Sequence, residues 1–311
     1  MNVGIFLNYI GLGSNLLHLS YCHEIAKKYG PVTIITLCKN LEQALEDDPN
    51  IKKVVLFKKY RKITEIPNIA INLKKLLLDK IFIFYPSPRL FLAAKFAGIK
   101  KIYNYPLFKK KGLHLVNAAK KLTSRSLNVN FCPTETSFIV SNKKINNAKK
   151  YFNKDNYNII IGAGSSGPDT RWGEKNFISL INKLNAIDNY YFYIQCGPEQ
   201  NEISKNIIDK IEKKNCMDLS KMNISEIIPI LSLCDMYVGN DSFSHHITSQ
   251  CNKPSIVLLL NSPKAYSDYS KNHHRIIPEN AKLEELDHSS NYSASSIGIE
   301  KVLNKVLELN N

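Results

Sequence analysis

Two short stretches concentrate the residue types from which chemistry can be built. The first is Gly162-Ala163-Gly164-Ser165-Ser166-Gly167, directly after an apolar run. It spells G-x-G-x-x-G, the dinucleotide fingerprint, but its surroundings differ from that motif. The last glycine of the fingerprint sits inside an opening helix, whereas here Pro168 and Asp169 follow and helical spacing resumes near Glu174. A glycine-rich loop after a strand can still turn backbone N–H groups toward a phosphate. Arg171 stands close enough in sequence to neutralise one. A glycine-rich loop without a ligand is the plainer alternative. The second stretch, Gly239-Asn240-Asp241-Ser242-Phe243-Ser244-His245-His246, joins a strand to a helix. A helix N-terminus at the carboxyl end of a sheet is a ready anion site, although Asp241, Ser242 and Ser244 can equally serve as caps. Adjacent helical residues point apart, so His245 and His246 alone predict no metal site.

The elements that position these stretches alternate. Apolar runs near 3–8, 32–37, 54–57, 81–85 and 101–105 predict strands, separated by helical spacing near 16–29, 41–46, 69–78, 90–97 and 109–127. Gly11-Leu12-Gly13-Ser14-Asn15 follows the first strand. A polar, Asn-rich stretch at 128–149 reads as a linker, after which the alternation restarts near 157. Strands are expected near 157–161, 190–195, 236–239 and 255–260, and helices near 174–184, 199–213, 224–233, 244–250 and 296–309. Strand–helix alternation implies right-handed βαβ units and parallel sheets. The expected fold is α/β: two Rossmann-like, doubly wound domains, 1–150 and 151–311, facing a cleft, with ligands at the carboxyl ends of the strands.

Charge divides the same way. Residues 1–150 hold 26 Lys+Arg against 8 Asp+Glu, a net of +18, and residues 151–311 hold 16 against 19, a net of −3. So basic a first half suits an anionic partner, a phosphorylated glycolipid or a membrane surface, or else is a solvated lysine-rich face. Nucleic acid carries the right charge, but the chain shows no recognition motif and is not expected to bind it. No apolar run approaches the ~20 residues of a membrane span, and the opening residues read as a strand rather than a signal peptide. Seven scattered cysteines, without a C-x-x-C pair, imply free thiols in a reducing cytoplasm.

Taken together these stretches resemble glycosyltransferase family 9, the ADP-heptose:lipopolysaccharide heptosyltransferases. Most of the chain shares the likeness, which is strongest over about 157–260. Gly162-Ala163-Gly164 followed by Thr170-Arg171-Trp172-Gly173 matches the family's loop and its Lys-Arg-Trp-Pro run. Asp241-Ser242-Phe243-Ser244-His245-His246 matches Asp-Thr-Gly-Pro-x-His. Ser220-Lys221-Met222 looks like the turn whose backbone faces the adenine, and Gly197-Pro198-Glu199 like the turn near the ribose. The resemblance implies a GT-B fold, with acceptor on the N-terminal domain and nucleotide sugar on the C-terminal one. It also implies inverting transfer, usually from ADP-heptose, with no metal and no other cofactor. Gly162, Ala163, Gly164, Arg171, Glu199, Met222, Asp241, Ser242, Phe243, Ser244 and His246 would then form the donor side. Gly11, Gly13, Ser14 and Asn15 would form the acceptor-side loop. An anionic glycan or glycolipid acceptor fits the basic half, as does peripheral contact with the cytoplasmic face of the inner membrane.

Three positions depart from the family. Its catalytic aspartate is Ser14 here, its phosphate-binding lysine is Thr170, and the glycine after Asp-Thr is Phe243. An unperturbed serine cannot accept a proton at neutral pH. His18, one turn beyond Ser14 on the expected helix, is the candidate base, with a packed core histidine as the alternative. Two other readings stay open: a catalytically silent nucleotide-sugar binder and a GT-B sugar-nucleotide epimerase.

Overall fold

The central apolar runs form parallel strands because they are buried on both faces, as a sheet covered by crossover helices demands. A computed structural model describes residues 1–61, 63–108, 113–152 and 155–310. The chain divides into two units, 1–136 and 137–311. In the first, β1 (Val3–Leu7), β2 (Val32–Thr36), β3 (Ile51–Leu56), β4 (Lys80–Ile83) and β5 (Lys101–Asn104) pair in the order β3-β2-β1-β4-β5. Every residue of β1 and β2 is buried, whereas edge strand β3 exposes Lys52 and Lys53, charges that blunt an open edge. The connecting helices are α1 (Leu12–Leu16), α2 (Leu19–Tyr29), α3 (Leu41–Ala44), α4 (Glu65–Lys74), α5 (Pro88–Phe96) and α6 (Leu115–Leu127). The start of the helix expected at 109–127 lies outside the described residues.

The second unit holds α7 (Asn142–Ala148), β6 (Tyr157–Gly162), α8 (Glu174–Asn185), β7 (Tyr190–Gln195), α9 (Asn201–Ile208) and β8 (Cys216–Asp218). It continues with α10 (Ile224–Leu233), β9 (Met236–Asn240), α11 (Phe243–Gln250), β10 (Ser255–Leu258), β11 (His273–Ile276) and α12 (Ile299–Asn310). Its six parallel strands run β11-β10-β9-β6-β7-β8. The chain thus winds outward from β6 to β8, returns to β9 beside β6, and winds out the other way. The crevice between β6 and β9 is the topological switch point, where doubly wound sheets bind ligands.

Three expectations need correction. The 128–149 stretch is not all linker, since α7 lies in it and packs on α10, while Phe138 N–H bonds to Gln250 O at 3.0 Å. Residues 137–150, assigned to the first domain on sequence, therefore pack with the second. The first helix breaks at Leu17–His18, between α1 and α2. Strands β8 and β11 carried no sequence signal, being three and four residues long and built from Cys-Met-Asp and His-His-Arg-Ile.

Candidate functional site

The switch point is held together by Asn240, the last residue of β9, which is wholly buried. Its Nδ2 donates to Ala163 O at 2.8 Å and its Oδ1 accepts from Trp172 N–H at 2.8 Å. One side chain thus ties the loop after β6 and the segment carrying Arg171 to the end of β9. Trp172 is also fully buried and donates its Nε1–H to Ile297 O. Tyr237 donates to Asn240 O at 2.5 Å and meets Ser242 Oγ at 3.1 Å. Its ring explains Gly162, where an added Cβ would fall 1.9 Å from the Tyr237 hydroxyl oxygen.

The glycine-rich loop behaves differently from the phosphate cradle expected of it. Ala163 and Gly164 N–H both bond to Gln195 O, because pairing with β7 continues past the end of β6. A Cβ on Gly164 would meet the Gln200 side chain at 2.4 Å and Cys196 Cα at 2.9 Å. Gln200 Nε2 in turn donates to Ser165 O. Gly162 and Gly164 therefore serve close packing, and the amides of Ala163 and Gly164 are committed within the sheet.

The cationic side of the site lies next to this loop. A pocket of about 520 Å³ is lined by Ala163, Arg171 and Trp172 together with Glu174, Lys175 and Asn176 at the start of α8. Arg171 Nη2 bonds weakly to Ser165 O at 3.4 Å, and its Nε is buried without a partner among the described residues. An unpaired buried guanidinium N–H is costly unless an acceptor arrives, so Arg171 brings an unmet donor to this pocket. Lys175 shares that pocket and was missed on sequence, although its place in the first turn of α8 was legible. Exposed Glu199 follows β7, and half-buried Met222 follows β8, its N–H bonded to Leu219 O. These two stand at the same edge of the sheet but do not line the pocket.

The loop after β9 begins with Asp241, whose Oδ1 lies 2.8 Å from His245 Nε2. Ser242 and Phe243 are half-buried at the start of α11, whereas Ser244, His245 and His246 are buried. The two histidines do not point apart as expected. Their rings lie 3.9 Å apart, drawn together over Tyr269 and His273. His246 Nδ1 bonds to the Tyr269 hydroxyl at 2.6 Å, which makes it a packed residue of the interior. The ligand atoms of Asp241, His245 and His246 lie within 4.8 Å of one another, close enough to surround a metal ion. The same residues are joined by hydrogen bonds to Tyr269 and His273.

In the first unit Asn15 staples the loop, donating to Tyr9 O and Gly11 O and accepting from Thr36 Oγ1. Gly11 precedes α1, while Gly13 and half-buried Ser14 lie within it. His18 does not fit the role of base. It is wholly buried, with Nδ1 on Ser14 O at 2.8 Å and Nε2 on the Tyr105 hydroxyl at 2.9 Å. Tyr9, Tyr21, Phe84 and Tyr105 surround the ring, and burial lowers its pKa to about 4. His18 stands at the N-cap position of α2, where the helix breaks, with no side-chain cap bond and its ring turned into the core.

The profile of glycosyltransferase family 9 (heptosyltransferase) matches residues 87–294, about two thirds of the chain. The protein belongs to glycosyltransferase family 9. Within the family it is 27% identical over 202 residues to lipopolysaccharide heptosyltransferase 1 of Campylobacter coli. That alignment spans 60% of this chain and 59% of the relative's length. Solved structures share the fold along nearly the whole chain. A family 9 glycosyltransferase from Veillonella parvula superposes with a TM-score of 0.81 at 16% identity, covering 99% of this chain and 96% of its own. An E. coli heptosyltransferase solved with ADP-2-deoxy-2-fluoro heptose gives 0.70 at 15% identity, covering all of both chains. The family match takes in Arg171, Asn240, Asp241 and the α11 histidines, and stops short of β1 and Ser14. The two-domain GT-B architecture of the family is therefore the fold of this chain.

Proposed function

We propose that this protein is a heptosyltransferase that moves a heptose from ADP-heptose to an anionic envelope glycan or glycolipid, with inversion and without a metal. The observation that carries the reading is the family match over the switch-point residues, with Arg171 lining a pocket and its Nε unpaired. In this reading Arg171 and Lys175 meet the diphosphate, whose charge grows as the sugar leaves. The first turn of α11 adds its positive dipole end. Asp241 accepts from sugar hydroxyls, and the turns at Glu199 and Met222 border the nucleoside. The N-terminal domain takes the acceptor, and its 22 Lys+Arg against 8 Asp+Glu over residues 1–136, a net of +14, favour phosphorylated glycolipid and the anionic cytoplasmic leaflet. No described helix is long and apolar enough to cross a membrane, so contact with the bilayer would be peripheral.

A second reading has its own support. Ser14 replaces the family's base and His18 is sealed in the core, which favours a nucleotide-sugar binder without turnover. Calorimetry with ADP, UDP and GDP, followed by mass spectrometry of acceptor glycolipid incubated with ADP-heptose, separates the two. Micromolar ADP binding lost in Arg171→Ala, with heptose added to the acceptor, supports the transferase. Binding without product supports the silent binder. Preference for UDP or GDP would reject ADP-heptose as donor.

A further inference from the structure

Asp241, His245 and His246 together offer a donor set that the family motif does not supply. In Asp-Thr-Gly-Pro-x-His this chain fills the variable place with His245, so two imidazoles instead of one accompany the carboxyl group. Each of the three residues offers one ligand atom, and these atoms lie within 4.8 Å of one another, the one such group among the described residues. Asp241 Oδ1 and His245 Nε2 are already 2.8 Å apart. Ligands around a tetrahedral ion with bonds of ~2.0 Å stand ~3.3 Å from one another, so that pair has to open by only about 0.5 Å. A ligating imidazole is fixed when its other nitrogen is hydrogen-bonded. His245 Nδ1 lies 3.1 Å from His273 Nε2, and His273 Nδ1 donates to Ser267 O at 3.1 Å. The Tyr269 hydroxyl holds His246 Nδ1 at 2.6 Å, a bond that ligation through Nε2 leaves in place. Both rings are thus oriented before any ion arrives. They are buried, whereas the Asp241 side chain keeps 13% of its surface exposed, so an ion enters past Asp241.

Ligand chemistry selects the ion. Magnesium and calcium take oxygen ligands, whereas two imidazoles and one carboxylate suit zinc and its transition-metal neighbours. We propose that Asp241, His245 and His246 bind one zinc-type divalent ion, with His273 and Tyr269 holding the two rings in place. The ion replaces the hydrogen that joins Asp241 Oδ1 to His245 Nε2, and that hydrogen leaves to solvent as a proton. The carboxylate meets part of the ion's charge, and a fourth position is left for water. Bound there, the ion takes the carboxyl group that the donor reading gives to sugar hydroxyls. Metal and nucleotide sugar therefore compete, and the site is inhibitory, in keeping with transfer that needs no metal. This consequence rests on the donor site proposed above; the metal site itself does not.

Cobalt(II) titrated into metal-free, full-length protein reads the donor set through its visible spectrum. One equivalent should bind at micromolar concentration, without the thiolate charge-transfer band that cysteine ligands produce. Calorimetry with zinc should give a heat that varies with the buffer, as release of a proton requires. Asp241→Asn and His245→Gln should each weaken binding by more than about tenfold. His273→Leu, which removes only the acceptor beyond His245, should cost about tenfold, and His273→Gln, whose amide oxygen still accepts, should restore most of it. Asp241 is half-buried, so Asp241→Asn keeps the test open should a buried histidine variant fail to fold. Thiolate ligation, no binding of micromolar metal, or affinity unchanged in Asp241→Asn would overturn the site. Competition is read by adding ADP-heptose or ADP to the cobalt form. ADP, with its terminal phosphate, chelates free cobalt at least as strongly, but in the donor reading only the sugar meets Asp241. ADP-heptose should therefore bleach the protein's band at a several-fold lower concentration than ADP. Equal bleaching would refute the competition. Failure of metal-free protein to bind ADP-heptose in calorimetry would overturn the donor reading, while the cobalt spectra would still decide the metal site.

Discussion

Asn240→Ala is the substitution that most directly tests how the site is built. Asn240 is fully buried, and its amide makes two bonds of 2.8 Å, one to Trp172 N–H and one to Ala163 O. Truncation leaves a buried donor and a buried acceptor unpaired, each costing about 1–3 kcal/mol. The expected loss of stability is about 3–4 kcal/mol, a large fraction of the ~5–15 kcal/mol of a typical domain. Asn240→Asp keeps the acceptor for Trp172 but sets a carboxylate oxygen against Ala163 O, so it should lose nearly as much. Urea unfolding reads the loss as a lower midpoint at unchanged slope. Arg171 adjoins Trp172, and Ala163 lines the same pocket, so ADP affinity should fall at least about tenfold under conditions where the variant is still folded. A stability change below about 1 kcal/mol would refute the staple. A full stability loss with unaltered ADP affinity would show that the staple serves the fold and leaves the pocket alone.

Two further outcomes follow from single contacts. Gly162→Ala places a methyl group 1.9 Å from the hydroxyl oxygen of buried Tyr237, and the strain should cost about 2 kcal/mol in thermal or urea unfolding. Adding Tyr237→Ala should relieve it, giving a coupling above about 0.5 kcal/mol in a double-mutant cycle; strictly additive losses would contradict the clash. In the first domain, burial works against the charge of Asp48, but the hydrogen bond and charge of His23 and the donors of Asn50 prevail and lower its pKa. A carboxylate depressed on folding contributes stability that is complete above its unfolded pKa of about 4 and lost as pH falls through the folded value. Asp48→Asn should cost about 2 kcal/mol at pH 7 and progressively less below pH 4 in urea titrations. A difference that did not shrink at pH 3 would remove Asp48 from the acid response.

Much of the fold was legible because its signals are periodic. Stretches such as Val32–Thr36 and Tyr190–Gln195 are dominated by β-branched and aromatic residues without a polar face, the pattern of strands covered on both sides. β11 escaped because His273, His274 and Arg275 form a strand through partners that are distant in sequence. The motif positions of the site were legible too, since Arg171 and Asp241 stand in loops at the strand ends where spacing put them. What the side chains do there was not. Gly162 is glycine for the sake of Tyr237, 75 residues away, and no local pattern records that contact.

Histidines show most sharply why residue type alone misled. His18 and His246 were read as functional groups from their motif positions, yet each has a ring nitrogen bonded to a tyrosine hydroxyl in the interior. His245, at the variable position of that motif, and His273, outside every motif, bond in series to the carboxyl group of Asp241. An imidazole reports its role through the direction of its two hydrogen bonds. Those directions are set by partners that only the fold brings near: Ser14 O and Tyr105 for His18, Ser267 O for His273. For His18 both nitrogens are committed, so neither is left to take a proton from an acceptor hydroxyl. For His245 both nitrogens are committed as well, Nδ1 to His273 and Nε2 to Asp241, and the second of these bonds ties it to the α11 loop.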